Sequence, residues 1–301
     1  MEILRMLESI RTPFLDSAIG LITRLGEEII GIAVFCMIYW CINKRAAYRI
    51  GVAFFLSGLT VQGMKICFRI DRPWIADPTL TPVPSALEQA TGYSFPSGHT
   101  QSAAALYGSL GAQIKRKPAK AILLLIALLV AFSRMYLGVH TLLDVTASLI
   151  ISSLFVLLAM KVVTFGAADK KREFFVSLLM GLYAIAVIVV AVALYSSATI
   201  GHSDVSDSLK GAGAGIGLAV GMFIERVYID FPVKTKGLLL QIVKFILGFA
   251  GVLIIKEGLK LAIGTGLVID MIRYFLILVW MSALFPLIIK RFFTPADIPP
   301  G

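Results

Sequence analysis

From Phe174 to Ser196 the chain runs without one charged side chain. A run of that length matches the roughly 20 apolar residues a helix needs to cross hydrocarbon, and lipid obliges it to be helical because no water is present to satisfy an open backbone. It is one of about nine such runs, with approximate limits 27–43, 46–67, 99–114, 120–138, 142–163, 174–196, 208–225, 237–256 and 268–289. Only 15% of the 301 residues are charged and 58% are apolar, against about 25% charged in an ordinary soluble domain. A soluble enzyme, a disordered chain, a coiled coil and a nucleic-acid-binding module are thereby excluded. The expected fold is all-α, a polytopic membrane bundle of about nine transmembrane helices.

The net charge of +10 is read as topology and not as the mark of an acidic partner. Lys44, Arg45 and Arg49 follow the first run, and Lys115, Arg116, Lys117 and Lys120 the third. Lys170, Lys171 and Arg172 follow the fifth, Arg226, Lys234 and Lys236 the seventh, Lys290 and Arg291 the ninth. Every odd-numbered connection is basic, which predicts a multi-pass protein of the cell membrane with its N-terminus outside and its C-terminus in the cytoplasm. Ahead of the first run, Ile3, Leu7, Ile10 and Phe14 recur at helical spacing and predict an amphipathic interfacial segment over 1–26. Arg5, Glu8 and Arg11 interrupt any cleavable signal peptide there. Cys36, Cys41 and Cys67 lie in apolar stretches without metal-ligand spacing and are expected to be packing residues. Gly213, Gly217 and Gly221, four residues apart, predict a helix that another approaches closely.

The second connection, about 68–99, is the longest and carries Pro73, Pro78, Pro82, Pro84 and Pro96, which suits a functional loop and not a helix. Ionisable groups are costly in a membrane protein and mark function by default. Here they form three clusters: Lys65 with Arg72-Pro73; Ser94-Phe95-Pro96-Ser97-Gly98-His99; and Ser133-Arg134 with His140 and Asp144. The topology argument puts all three on the non-cytoplasmic side. His202, Asp204, Asp207 and Lys210 share that side, within reach of a substrate, and a solvated loop is the first expectation for them; Lys244, Asp270 and Arg273 in the late runs suggest a structural ion pair or snorkelling first and a substrate contact second.

Asp144 follows His140 by one helical turn, so its carboxylate can hold the proton of one ring nitrogen and leave the other free to attack. Lys65, Arg72 and Arg134 supply cations, and the backbone N–H groups around Ser97 and Gly98 open a helix that favours an anion. His99 is the natural second histidine, giving a proton to a leaving oxygen and later taking one from water. The set describes a phosphoryl transfer through a phosphohistidine at His140 that needs neither metal nor cofactor.

Lys-x6-Arg-Pro, Pro-Ser-Gly-His and Ser-Arg-x5-His-x3-Asp, in this order, resemble the three signature motifs of the type 2 phosphatidic acid phosphatase superfamily, across roughly residues 20–165. The superfamily includes lipid phosphate phosphatases, glucose-6-phosphatase and vanadium haloperoxidases. The resemblance implies His140 as nucleophile, Asp144 as its partner, His99 as general acid and base, and Lys65, Arg72, Ser97, Gly98 and Arg134 as phosphate ligands. It also implies a six-helix phosphatase core, 27–196, followed by a three-span extension, 197–301, in a layout similar to glucose-6-phosphatase and the sphingosine phosphate phosphatases. The expected activity is hydrolysis of a lipid phosphate or diphosphate drawn from the bilayer. A soluble sugar phosphate, a phosphotransferase using the same intermediate, and a non-catalytic lipid-binding or transport protein are the alternatives.

Overall fold

The computed structural model describes residues 1–163 and 170–293. The middle of the fifth connection, the side chain of Lys170 and the end of the segment 197–301 lie outside the described residues. The chain begins with α1 (Glu2–Ser9), α2 (Pro13–Arg24), α3 (Glu28–Met37) and α4 (Lys44–Phe68). The long loop carries one short α-helix, α5 (Pro73–Ala76), and a single 3-10 turn, Pro84–Ala86. Then follow α6 (Gly98–Gln113), α7 (Lys117–Tyr136), α8 (Leu142–Val162), α9 (Lys170–Ser196) and α10 (His202–Ile224). The chain closes with α11 (Leu238–Leu253), α12 (Leu259–Ile263), α13 (Leu267–Val279) and α14 (Phe285–Phe292). π turns extend α3 over Ile38–Ile42 and α10 over Glu225–Ile229, and join α11 to α12 and α13 to α14.

Each predicted run forms a helix, but the count of nine spans is not reached by length and composition. Among the described residues seven helices are long and apolar enough to cross a membrane, or up to eight if α2 and α3, bent by 45°, form one span. The first and third predicted runs are the short ones: α3 with its π turn runs only from Glu28 to Ile42. α6 has sixteen residues, about 24 Å at 1.5 Å per residue, less than the roughly 30 Å of hydrocarbon. Its sequence is written in Ala, Gly, Ser and Gln, and Thr100, Gln101 and Ser109 are buried. Such a helix is enclosed by protein, where its polar groups find partners that lipid would not offer.

Local chemistry sets the helix ends. The Asn43 side chain accepts from Ala46 N at 3.1 Å to start α4, and Arg69, in the left-handed region at φ 52°, ends it. Thr141 and Asp144 form a capping box at the start of α8. α4 packs against α6, α8, α9 and α10, and α10 packs in turn against α9 and α13. The helix that opens the predicted extension is therefore seated directly on the helices of the predicted core, and among the described residues it holds the most enclosed apolar stretch of the candidate spans. Its glycines make this possible. A Cβ at Gly213 or Gly217 would run into the backbone carbonyls of Met271 and Phe275, and one at Gly221 into Ser282, all in the α13 segment and its continuation.

Elsewhere the outcomes are mixed. The segment 1–26 forms two helices, with Leu4 and Leu7 buried but Ile3, Ile10 and Phe14 exposed. The polar residues between them grip the protein. Arg5 pairs with Asp77 at 2.6 Å, the Glu8 carboxylate accepts from Thr81 N at 2.9 Å, and Arg11 Nε donates to Tyr136 O at 2.9 Å. Cys36 is buried, but Cys67 is exposed and so is not a packing residue. Asp270 and Arg273 form a buried pair at 2.7 Å, and the buried Lys244 donates to Val233 O at 2.7 Å, as expected of structural groups. At the end of the bundle remote from the long loop, Lys44 bridges to Glu225 at 3.3 Å and to Asp230.

Candidate active site

The site begins with the turn between α7 and α8. Gly138, at φ 77°, lets the chain reverse so that the backbone N–H groups of Val139 and His140 both donate to Arg134 O. That reversal sets His140 at the foot of α8, two percent exposed, with Asp144 one turn on. His140 Nδ1 stands 3.4 Å from Asp144 Oδ2, an ion-pair distance that falls short of hydrogen-bond geometry. The carboxylate is itself fixed, since Oδ2 accepts from Ser94 Oγ at 2.6 Å and from Thr141 N at 2.7 Å. Ser94, whose part no spacing rule announced, thus ties the long loop to α8.

On the other side of the ring, Arg72 Nη1 lies 2.9 Å from His140 Nε2. A guanidinium has only donors, so Nε2 is the acceptor and the ring proton resides on Nδ1, facing Asp144. The remaining guanidinium contacts are to backbone carbonyls: Nε to Gly92 at 3.0 Å, Nη1 also to Val139 at 3.1 Å, and Nη2 to Thr91. Burial first, then Arg72 and the other surrounding cations, push the His140 imidazole well below the usual histidine range. The ring is accordingly neutral at physiological pH.

The second motif supplies a helix N-terminus. Ser97 is the N-cap of α6, its hydroxyl accepting from Thr100 N at 3.4 Å, and Gly98 and His99 form the first turn. Ser97 N donates to Asp144 O at 3.3 Å, and Ser148 Oγ to Ser97 O at 2.8 Å, so α6 and α8 are locked together beneath the site. His99 Nε2 lies 3.1 Å from Gln89 Oε1, while Gln89 Nε2 donates to Glu27 Oε1 at 2.9 Å. Because the carboxylate can only accept, Gln89 must turn its oxygen to His99, which makes His99 Nε2 the donor. Lys65 donates to Tyr93 O at 2.7 Å.

Arg134 is one percent exposed and donates from Nη1 to Thr23 Oγ1 at 2.9 Å, while its Nε and Nη2 have no partner within the protein. Buried donors without acceptors are costly and call for an explanation. Thr23, Glu27 and Gln89 are residues without a motif around them: Thr23 lies in α2, Glu27 is the residue before α3, and Gln89 lies in the long loop.

The structure thus gathers Lys65, Arg72, Ser97, Gly98, His99, Arg134, His140 and Asp144 at one end of the bundle. A cavity of about 410 Å³ opens there, lined at its polar end by Lys65, Arg72, Gly98, His99 and His140. Asp204, Asp207 and Lys210 also line it. They lie not in a solvated loop but in the first turns of α10, where Asp204 Oδ2 accepts from Gly201 N at 3.2 Å and Asp207 accepts from Thr91 Oγ1 at 3.1 Å.

Two family models match the chain: the PAP2 superfamily over residues 46–168, and the transmembrane extension of the PAP2 superfamily phosphatases over residues 209–296. No curated protein matches it. Among solved structures, the chain is similar to LpxE of Aquifex aeolicus, at 27% identity and a TM-score of 0.47 over 53% of this chain and 93% of that one. It is also similar to the first transmembrane PAP2 type phosphatidylglycerolphosphate phosphatase from Bacillus subtilis, at 26% identity and a TM-score of 0.45 over 53% and 81% of the two chains. The first model spans the helices that carry all three clusters and the second spans α10 to α14, so the chain belongs to the PAP2 superfamily and joins its domain to its transmembrane extension.

Proposed function

We propose that the protein is an integral membrane phosphatase that hydrolyses a lipid phosphate or diphosphate through a phosphohistidine at His140. The observation that carries this reading is the pairing of Arg72 Nη1 with His140 Nε2 at 2.9 Å, across a neutral ring backed by a buried carboxylate. A cation held against a lone pair marks the place where a phosphoryl group fits between them. The arriving phosphate takes over the Arg72 contact, and its negative oxygens receive Lys65, the unpartnered donors of Arg134 and the first-turn N–H groups of α6.

His140 Nε2 then attacks phosphorus in line. The N–P bond forms as the bond to the leaving oxygen breaks, and Asp144 stabilises the positive charge that develops on the ring. His99, held as the imidazolium once the negative charge of the phosphate is beside it, gives its Nε2 proton to the leaving oxygen, which replaces Gln89 as acceptor, and is left as the neutral ring; Glu27 and Gln89 keep that proton in place until then. In the second half a water replaces the leaving group, His99 accepts its proton, and the N–P bond breaks to release inorganic phosphate. No metal is part of this sequence.

A lipid substrate is favoured over a soluble sugar phosphate because the cavity that opens at His140 continues among apolar side chains, Phe35, Phe54, Leu59 and Ile277 among them. The complete His99, His140 and Asp144 set favours turnover over mere binding. The loop-charge pattern supports a cell-membrane protein with its active site on the non-cytoplasmic face, its N-terminus outside and its C-terminus inside.

The test is phosphate release by the purified protein in detergent with EDTA. The panel is undecaprenyl diphosphate, phosphatidic acid, phosphatidylglycerophosphate, sphingosine phosphate and glucose 6-phosphate. Vanadate-sensitive release is expected from at least one lipid, exceeding that from glucose 6-phosphate. Release confined to glucose 6-phosphate would overturn the lipid reading, and release that vanadate left untouched would overturn the intermediate.

A further inference from the structure

The cavity at His140 is not confined to the phosphate site. From Lys65 it follows α4 inward to Ile50, fifteen residues and about 22 Å along the helix axis at 1.5 Å per residue. Its far walls come from two parts of the chain. α3, α4 and α6 contribute one side, including Phe35, Phe54 and Leu106, and α10 with α13 and the π turn after it the other, including Ala214, Ile277 and Met281. The cations and histidines stand at one end, and beyond them the walls are mainly apolar, with the Gln101 amide among them, so the chamber has the layout of a molecule with a charged head and a hydrocarbon body. At about 410 Å³ it falls toward the small end of the range of roughly 300–1,000 Å³ for ligand sites, which suits one chain and not several.

Two positions in the lining are small where the chamber needs room. A Cβ at Gly58 would meet only the Gln101 amide, at 3.6 Å, an ordinary contact; Ala214 faces the same space from α10. In contrast to Gly213 and Gly217, whose missing side chains let α13 pack close, Gly58 has no helix backbone pressed against it. The space beside it is shared between the Gln101 amide and the cavity.

We infer that this chamber, closed on one side by the transmembrane extension, holds a single acyl, alkyl or isoprenoid chain of the substrate while its phosphate sits at His140. The inference rests on the phosphatase reading and adds the role of the extension: α10 and α13 are walls of the substrate site. A lipid with one chain, or with one chain inserted and any other left in the bilayer, is the class that fits.

The experiment compares p-nitrophenyl phosphate, hexyl phosphate and hexadecyl phosphate as substrates of the full-length protein in one detergent. Each buried methylene contributes about 0.8 kcal/mol, so two already give about tenfold. The wild type is expected to favour hexadecyl over hexyl phosphate in kcat/KM by at least about tenfold. Gly58→Leu, which fills the core wall, and Ala214→Leu, which fills the extension wall, should each bring that preference close to unity while p-nitrophenyl phosphate turnover continues. Leu239→Trp, on the exposed face of α11, should keep the wild-type preference. An undiminished chain-length preference in both filled variants would overturn the chamber, as would an equal loss on all three substrates in both. Failure of the wild type to release phosphate from any substrate, p-nitrophenyl phosphate included, would instead sink the phosphatase reading beneath it.

Discussion

Replacing His140 by Ala is expected to lower phosphate release by about 10⁴-fold or more, because removing a covalent nucleophile leaves only binding and charge stabilisation to act on the reaction. The ring is two percent exposed and held on both sides, by Arg72 at Nε2 and by the Asp144 carboxylate facing Nδ1. Its truncation leaves a void and a guanidinium short of one acceptor, so some stability is lost as well. Thermal unfolding in detergent separates the two effects: a folded variant without turnover is the expected result. A folded His140→Ala protein with turnover near that of the wild type would remove the ring from the chemistry.

Arg72→Met is expected to cost about 10²- to 10³-fold in kcat/KM, the range found when one preorganised donor to a developing anion is deleted. The side chain is four percent exposed and its nitrogens point in different directions, to the loop carbonyls of Thr91, Gly92 and Val139 and to His140. Arg72→Lys should recover little of the loss, since an ammonium offers a point charge without the planar fork that reaches the loop and the ring together. The measurement is kcat/KM for the three proteins on one lipid phosphate, with vanadate inhibition as an independent measure of anion binding. Weaker inhibition in both variants is expected. A lysine variant indistinguishable from the wild type would mean that charge alone, and not the fork, is required.

The three clusters were legible because phosphoryl chemistry in a membrane demands ionisable residues where hydropathy forbids them. Lys65, Arg72, His99, Arg134, His140 and Asp144 stand out from apolar surroundings for that reason. Their supports did not stand out. Ser94 fixes Asp144, Gln89 and Glu27 fix His99, and Thr23 takes one donor of Arg134. Ser94, Gln89 and Thr23 are uncharged, Glu27 stands beside Glu28 at the very start of the first run, none is set at a recognisable spacing, and all but Ser94 lie outside the clusters.

The helices show the same division. Runs dense in Leu, Ile, Val and Phe announce α8 and α9, whereas α6, made of small residues, reads as a span only until its sixteen residues are measured against the bilayer. The apolar run begins at 208, six residues after α10 starts at His202, because Asp204 in the first turn, where a carboxylate is favourable, and Asp207 in the next depress hydropathy. The seating of α10 between α4 and α13 was only half visible. Its glycines announced a close approach, but which helix would fill it depends on distant parts of the chain.

The claim at the centre of this account is that the phosphoryl group is transferred twice, first to His140 and then to water. The stereochemical course at phosphorus tests it most directly, using a substrate made chiral with oxygen isotopes and sulfur and turned over in isotopically labelled water. Each in-line displacement inverts the centre, so two of them give net retention, which is the predicted result. Net inversion would mean that water attacks the substrate directly, and would contradict a phosphohistidine at His140.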